Sequence, residues 1–227
     1  MEVITGDARS MDLGAFQQYQ VILADPPWWY ADQKKVRKDT KVPTRGIGAC
    51  HHYSQMTTDE LCDMPIKSLQ ADRCLLFLWA TCPLLPDALQ VMDAWGFDYS
   101  TVAFVWIKLN AKQVEQKGSR LRQMLYSYGV YGFLDKLTVF GPGYYTGSNA
   151  ELVLLGRRKG ARSIRHGDTK LAQVVYSPRL EHSQKPEQIQ DSIERMYPDA
   201  MPRLELFARR PREGWDVFGN EVGVEDE

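Results

Sequence analysis

VILADPPWWYAD, residues 21–32, runs a short apolar strand into an aspartate, two prolines and three aromatics. Val21–Ala24 reads as a buried strand, which places Asp25 at its carboxyl end. Pro26 and Pro27 then fix two φ angles and remove two backbone donors, so no regular element continues through them. The reading leaves their carbonyls without a local N–H partner, aimed outward beside the flat faces of Trp28, Trp29 and Tyr30. A carboxylate and a rigid carbonyl next to an aromatic plane are suited to hold a planar heterocycle by its amino group. The alternative is a strand stop followed by a polyproline-like turn with buried aromatics.

Apolar runs bounded by turn residues predict further strands near 2–5, 73–79, 100–107, 151–156, 173–177, 203–208 and 215–218. Between them lie helical patterns. Residues 57–64 open with a capping box from Thr57 to Glu60. In 84–95, Leu85, Ala88, Leu89 and Met92 share a face, and in 186–197 Pro186 suits a first turn ahead of Ile189, Ile193 and Met196. Strands alternating with helices give an α/β class with a largely parallel sheet. Two stretches, 29–55 and 108–148, break the alternation. Both are polar or basic and are read as long functional loops.

The chain has 227 residues, 44% of them hydrophobic, enough for one well-buried domain over 1–221 with an acidic tail, 222–227, expected to fray. No apolar run reaches the ~18 residues of a membrane span and no leader pattern opens the chain, so a cytoplasmic protein without a membrane partner is expected. Cys50, Cys62, Cys74 and Cys82 form no C-x-x-C pair, and Cys50-His51-His52 is too short a run to close a tetrahedral metal site. Net charge is −1, but segments 34–45, 108–122 and 157–165 together hold sixteen of the 28 Lys and Arg with two acids. That clustering suggests a polyanionic partner, against the plainer reading of solvated loops.

DPPW at 25–28 resembles the signature of methyltransferases that act on the N6 amino group of adenine, a family that includes the catalytic subunit of the eukaryotic mRNA adenosine methyltransferase. GDAR (6–9), HYSQMTTDEL (52–61), LFLWATCPLLPDALQVMDAWGF (76–97), VWIK (105–108), GYYTGSNAELVLLGRR (143–158), HSQKPEQI (182–189) and LELFARRPREGWDVFGNE (204–221) are similar to further family blocks, in family order. The resemblance implies S-adenosylmethionine as donor and a Rossmann-like sheet with permuted motif order. Asp25, Pro26, Pro27 and Trp28 would then be catalytic. Asp7 with Ala8, Asp25, Lys185, Phe207, Arg209, Asn220 and Glu221 would hold the donor, and Tyr53, Tyr145, Asn149 and Glu151 the target. Arg158 stands where some relatives place a donor-contacting lysine. GPGYYTG (141–147) has the wrong spacing for a dinucleotide loop.

The resemblance is to compact bacterial or phage members, which favours DNA over RNA as substrate and allows a homodimer. The target base would have to leave any helix it belongs to. Segments 31–50 and 110–142 match no family block. Basic residues interleaved with Tyr126, Tyr128 and Tyr131 are suited to phosphates and bases, or equally to packing a subdomain or a partner chain. Two rival functions stand beside this one. A non-catalytic nucleic-acid-binding subunit is disfavoured by the intact DPPW, and a methyltransferase for another amine by Asp25 and the basic clusters.

Overall fold

A computed structural model describes residues 3–5, 17–30, 55–115, 118–141, 145–168, 170–179, 184–220 and 222. Its eight strands are β1 (Val3–Thr5), β2 (Tyr19–Ala24), β3 (Gln70–Thr81), β4 (Phe97–Leu109), β5 (Ala150–Arg158), β6 (Val174–Pro178), β7 (Arg203–Leu206) and β8 (Asp216–Gly219). They form one sheet in the order β1-β8-β7-β2-β3-β5-β4-β6. Only the two pairings of β5 are antiparallel; the other five are parallel. This is the expected α/β, largely parallel, Rossmann-like architecture. Its chain order is permuted, because β7 and β8 from the carboxyl end sit directly beside β2.

Period-two alternation sorts the side chains onto two faces. Ile22, Ala24, Leu76, Leu78 and Ala80 belong to one buried cluster, and Val21, Leu23, Leu75, Phe77 and Trp79 to the other. The first face is covered by α1 (Thr58–Cys62) and α2 (Leu85–Ala94) through Leu61, Ala88, Val91 and Met92. The capping box forms as read, with the Thr57 hydroxyl accepting from the Glu60 N–H and the Glu60 carboxylate accepting from the Thr57 N–H. Trp95, wholly buried after α2, donates its indole N–H to the Leu61 carbonyl at 2.6 Å and ties the two helices together. The second face is covered by α5 (Gln188–Met196), whose Ile189 and Ile193 are buried as the periodicity implied.

Residues 108–148 are not the long loop expected. β4 runs on to Leu109, and a short helix α3 (Ala111–Val114) and a twenty-residue helix α4 (Gly118–Leu137) follow. Gly129, at φ 67° and ψ 179°, kinks α4. The helix has no apolar stripe in its sequence, because it buries no residue. Val222 corrects the frayed tail at one point: it is 2% exposed and belongs to the second cluster. No helix among the described residues is long and apolar enough to cross a membrane.

Candidate active site

β2 leads onward to β3 on one side, while β7 and β8 fill the other side from the far end of the chain. The crevice beyond the carboxyl ends of β7 and β2 is therefore a topological switch point, where open α/β sheets bind ligands. Asp25 stands there, its N–H directed to the Leu206 carbonyl at 3.4 Å. By the same alternation its side chain follows Val21 and Leu23 onto the α5 face. Lys185, just ahead of α5, reaches it there: Nζ donates to Asp25 Oδ2 at 2.6 Å. Lys185 is thus a partner of Asp25 and not a cap of α5, whose first turn receives no side-chain cap.

The cluster extends across the sheet. Lys185 Nζ also lies 3.6 Å from Glu151 Oε2 and 5.3 Å from the centre of the Trp79 ring. Glu151, at the start of β5, pairs with Thr81 and Trp106, so the reversed strand β5 delivers a carboxylate to the same rim. Its other oxygen takes an ion pair from Lys108, whose ammonium also sits 5.1 Å from the centre of the Trp106 ring. The result is an alternating row, Asp25, Lys185, Glu151 and Lys108, laid over two tryptophans that meet edge to face at 6.1 Å.

The electrostatics follow from this alternation. Burial raises the proton affinity of Asp25, and Lys185 offsets only part of that. Burial also opposes the charge on Lys185, but Asp25 and Glu151 together hold it above the usual lysine value. Burial pushes Glu151 up as well, yet the two ammonium groups carry it below the ordinary glutamate range. Behind Asp25 on the same face, Glu205 of β7 accepts from Gln190 Nε2 of α5 at 2.7 Å. Burial pushes Glu205 up to about 7 from 4.5.

That shift has a measurable consequence. A carboxyl whose folded value is raised favours the fold when protonated, so its contribution is complete below about pH 4.5 and lost as the pH rises through about 7. Glu205→Gln keeps an acceptor for Gln190 and removes the titration. Urea unfolding across that range should show a smaller pH slope in the variant. Near pH 8 the variant should be the more stable by up to about 3 kcal/mol.

Several expectations need correction. Both proline carbonyls have partners: Pro26 O accepts locally from the Trp28 N–H at 2.8 Å, and Pro27 O, which has no local donor, accepts from the distant Met56 N–H at 2.8 Å. A carbonyl has two lone pairs, so Pro26 O retains capacity for one further donor. Trp28 is only 8% exposed, donates its indole N–H to the Trp79 carbonyl at 3.2 Å and packs in the first cluster. It is a core side chain with no open stacking face; Trp29, 38% exposed, is the more accessible ring. Arg158 is at the opposite rim, because β5 runs antiparallel, and it pins the Gln70 and Ala71 carbonyls at 3.2 and 2.6 Å. The basic run 157–165 follows it away from the site.

Of the other candidates, Phe207 and Arg209 sit at the turn that ends β7. Phe207 has φ 62°, the one left-handed non-glycine among the described residues. The turn is pressed onto β8: the Ala208 N–H donates to Phe218 O at 2.9 Å, and a Cβ on Gly219 would meet Ala208 O at 2.0 Å. Strain of this kind concentrates at functional sites. Arg209 lies close enough to Asp25 and Lys185 to act on both electrostatically. Asn220 is exposed just beyond β8. Asn149 presents its carbonyl to the Lys108 N–H at 2.9 Å, while Tyr145 is fully exposed and outside the charged row. Asp7, Ala8, Tyr53 and Glu221, like Cys50-His51-His52 and the basic run 34–45, fall outside the described residues. Lys108 was missed as a site residue, although VWIK sets a charge one residue before the end of its strand, much as VILAD sets one just after.

A family model described as MT-A70 matches residues 19–126 and 136–221. A "Type II methyltransferase M.MunI" from a Mycoplasma species is 33% identical over 220 residues, which cover 91% of this chain and 78% of that protein. The "N(6)-adenosine-methyltransferase MT-A70-like" protein of Arabidopsis thaliana is 26% identical over 96% of this chain and 26% of its own length. The human "N(6)-adenosine-methyltransferase catalytic subunit METTL3" is 23% identical over 95% of this chain and 30% of its own. The chain therefore spans most of the bacterial relative and under a third of these two eukaryotic ones.

Proposed function

This chain belongs to the MT-A70 family, and on that premise we propose that it transfers a methyl group from S-adenosylmethionine to the N6 amino group of adenine in nucleic acid, with DNA the favoured polymer. The observation that carries the reading is Asp25, held by Lys185 at the switch point with the Pro26 carbonyl beside it. The preference for DNA rests on the likeness to the bacterial type II methyltransferase, 33% identical over 78% of that protein.

The residues at this rim fit such a donor. When bound, S-adenosylmethionine supplies an electrophilic methyl group on a sulfonium cation. The half-buried carboxylates of Asp25 and Glu151 suit a cationic centre, and the Lys185 ammonium suits the carboxylate of the donor's amino-acid end. The strained Phe207–Arg209 turn and Asn220 stand at the ends of β7 and β8, placed for the nucleoside end. Asp7, Ala8 and Glu221 are assigned to the same end by the sequence resemblance.

The target amine is a weak nucleophile because its lone pair is delocalised into the adenine ring. Asp25 Oδ1 and the remaining lone pair of Pro26 O can each accept one N–H of that amine. Two acceptors at fixed positions favour a pyramidal nitrogen with its lone pair aimed across the crevice. Catalysis then rests on positioning and on preset charge. Lys185 orients the Asp25 carboxylate by occupying Oδ2. As nitrogen gains a bond it sheds a proton, and the raised proton affinity of Asp25 suits it to take that proton. Trp28 and Trp79 keep bulk water from the wall behind the amine.

Labelled methyl transfer to duplex DNA, single-stranded DNA and RNA tests the reading. Labelled deoxyadenosine is the expected product. Label only in RNA adenosine would reverse the choice of polymer. No transfer to any of the three, with donor bound, would leave a non-catalytic subunit or another amine as the function.

A further inference from the structure

We propose that the α3–α4 arm, residues 111–137, is the surface that grips the nucleic-acid strand carrying the target adenine. The inference rests on the nucleic-acid reading above and adds where the strand lies. The arm connects β4 to β5, and those strands are antiparallel neighbours with Ile107 opposite Ala150. Both ends of the connection therefore open at the rim that holds Asp25. Its root is closed by backbone hydrogen bonds, with Asn110 N donating to Leu137 O at 2.8 Å and Val139 N to Lys108 O at 2.9 Å. Lys108 is thus at once the base of the arm and the outer member of the charged row that ends at Asp25.

The arm itself is unfinished as a folded element. α4 is twenty residues long and buries none of them, whereas helices in folded proteins draw most of their stability from a packed face. Its two most exposed large hydrophobic side chains are aromatic: Tyr126 is 89% and Tyr131 86% exposed, with Tyr128 at 55%, beside Val130 at 61% and the less exposed Leu125 and Leu134. Flat rings at this exposure are stacking platforms for unpaired bases. Residues 111–137 also carry five Lys or Arg against two acids, among them Arg120 and Arg122 on the same helix. That excess suits a phosphate backbone, and it disfavours pairing with the same arm of a second copy, which would bring like charges together. The family match takes in 111–126 and 136–137 of the arm and leaves out only 127–135, the stretch around the kink at Gly129 that carries Tyr128 and Tyr131.

The test compares the full chain with two double variants, Tyr126→Ala with Tyr131→Ala and Arg120→Ala with Arg122→Ala. All four side chains are exposed, so the fold should survive, and circular dichroism checks that it does. Affinities for fluorescein-labelled single-stranded DNA, duplex DNA and RNA are measured by anisotropy with S-adenosylhomocysteine present. Donor affinity is measured by calorimetry and oligomeric state by sedimentation. The tyrosine pair should weaken nucleic-acid binding by roughly tenfold or more, from the stacking lost per base. The arginine pair should flatten the salt dependence by about one unit in log–log slope or more. Donor affinity should be unchanged in both. Unchanged nucleic-acid affinity in both variants would overturn the proposal. So would a dimer that dissociates on tyrosine substitution while nucleic-acid binding is untouched, which would assign the arm to a second copy. Binding through the arm without methyl transfer would sink the catalytic reading and leave this one standing; normal transfer by variants with unaltered affinity would do the reverse.

Discussion

Asp25→Asn should lose methyl transfer by about a thousandfold or more while folding as well as the parent. The scale is that of removing one preset electrostatic contact to a transition state, ~10²–10³ in rate, with a proton acceptor removed as well. Asparagine is nearly isosteric, so the loss would not come from shape. Its amide has one acceptor, whereas the site needs two: Oδ2 takes the Lys185 ammonium at 2.6 Å, and the other oxygen is assigned to the amine. Whichever way the amide turns, an NH2 group faces either Lys185 or the target. Stability should not fall with activity. The Asp25 carboxyl is held above its ordinary 3.8, chiefly by burial. Its protonated form therefore favours the fold, and that contribution is lost as the pH rises through the raised value. At neutral pH the parent carries an ionised group that burial disfavours, and the amide does not. Thermal unfolding and single-turnover transfer on the same preparation separate the two effects.

The second large effect is expected at Lys185. Lys185→Met removes the cation shared by Asp25 and Glu151, leaving, among the described residues, Glu151 with Lys108 and Asp25 with the weaker pull of Arg209. The lysine is held above its usual 10.5 by the two carboxylates, so its stabilising contribution is complete at neutral pH and lost only as the pH rises through the raised value. The variant should lose about 2 kcal/mol at pH 7. That is below the 3–5 kcal/mol of a fully buried broken pair, because both side chains keep about a fifth of their surface, 20% and 23%. Transfer should fall by about a hundredfold, a loss of positioning. The acid limb of its pH–rate profile should move upward, because Lys185 is what restrains the Asp25 proton affinity. A residue serving only to pack α5 would cost stability and leave that limb where it was.

The strands were legible because each is an apolar run wide enough to cross the sheet and bounded by turn residues. α1, α2 and α5 were legible through caps or apolar stripes, and Asp25 through the abrupt chemistry of its strand end. What the sequence concealed was placed by pairing over long separations. Lys108 and Glu151 are 43 residues apart and meet only because β5 runs antiparallel between β3 and β4. The same reversal carries Arg158 to the far rim, against a linear reading of the basic clusters. Trp28 could be read either as stacking on the target base or as walling it, and no neighbouring residue discloses that the ring is packed into the first cluster with 8% of its surface exposed. α4 was hidden for the opposite reason: with no face buried, its sequence carries no helical period at all.

If Asp25 and Pro26 present an exocyclic amine for methylation, the new methyl group must sit on that nitrogen. Nucleic acid treated with the full chain and labelled donor would be digested to nucleosides and the label located by mass spectrometry against authentic standards. Label is expected on the N6 nitrogen of adenine and should be absent when Asp25→Asn replaces the parent. Label on a ring nitrogen of adenine or on cytosine, or label on N6 that persists undiminished in Asp25→Asn, would contradict this role of Asp25 and Pro26.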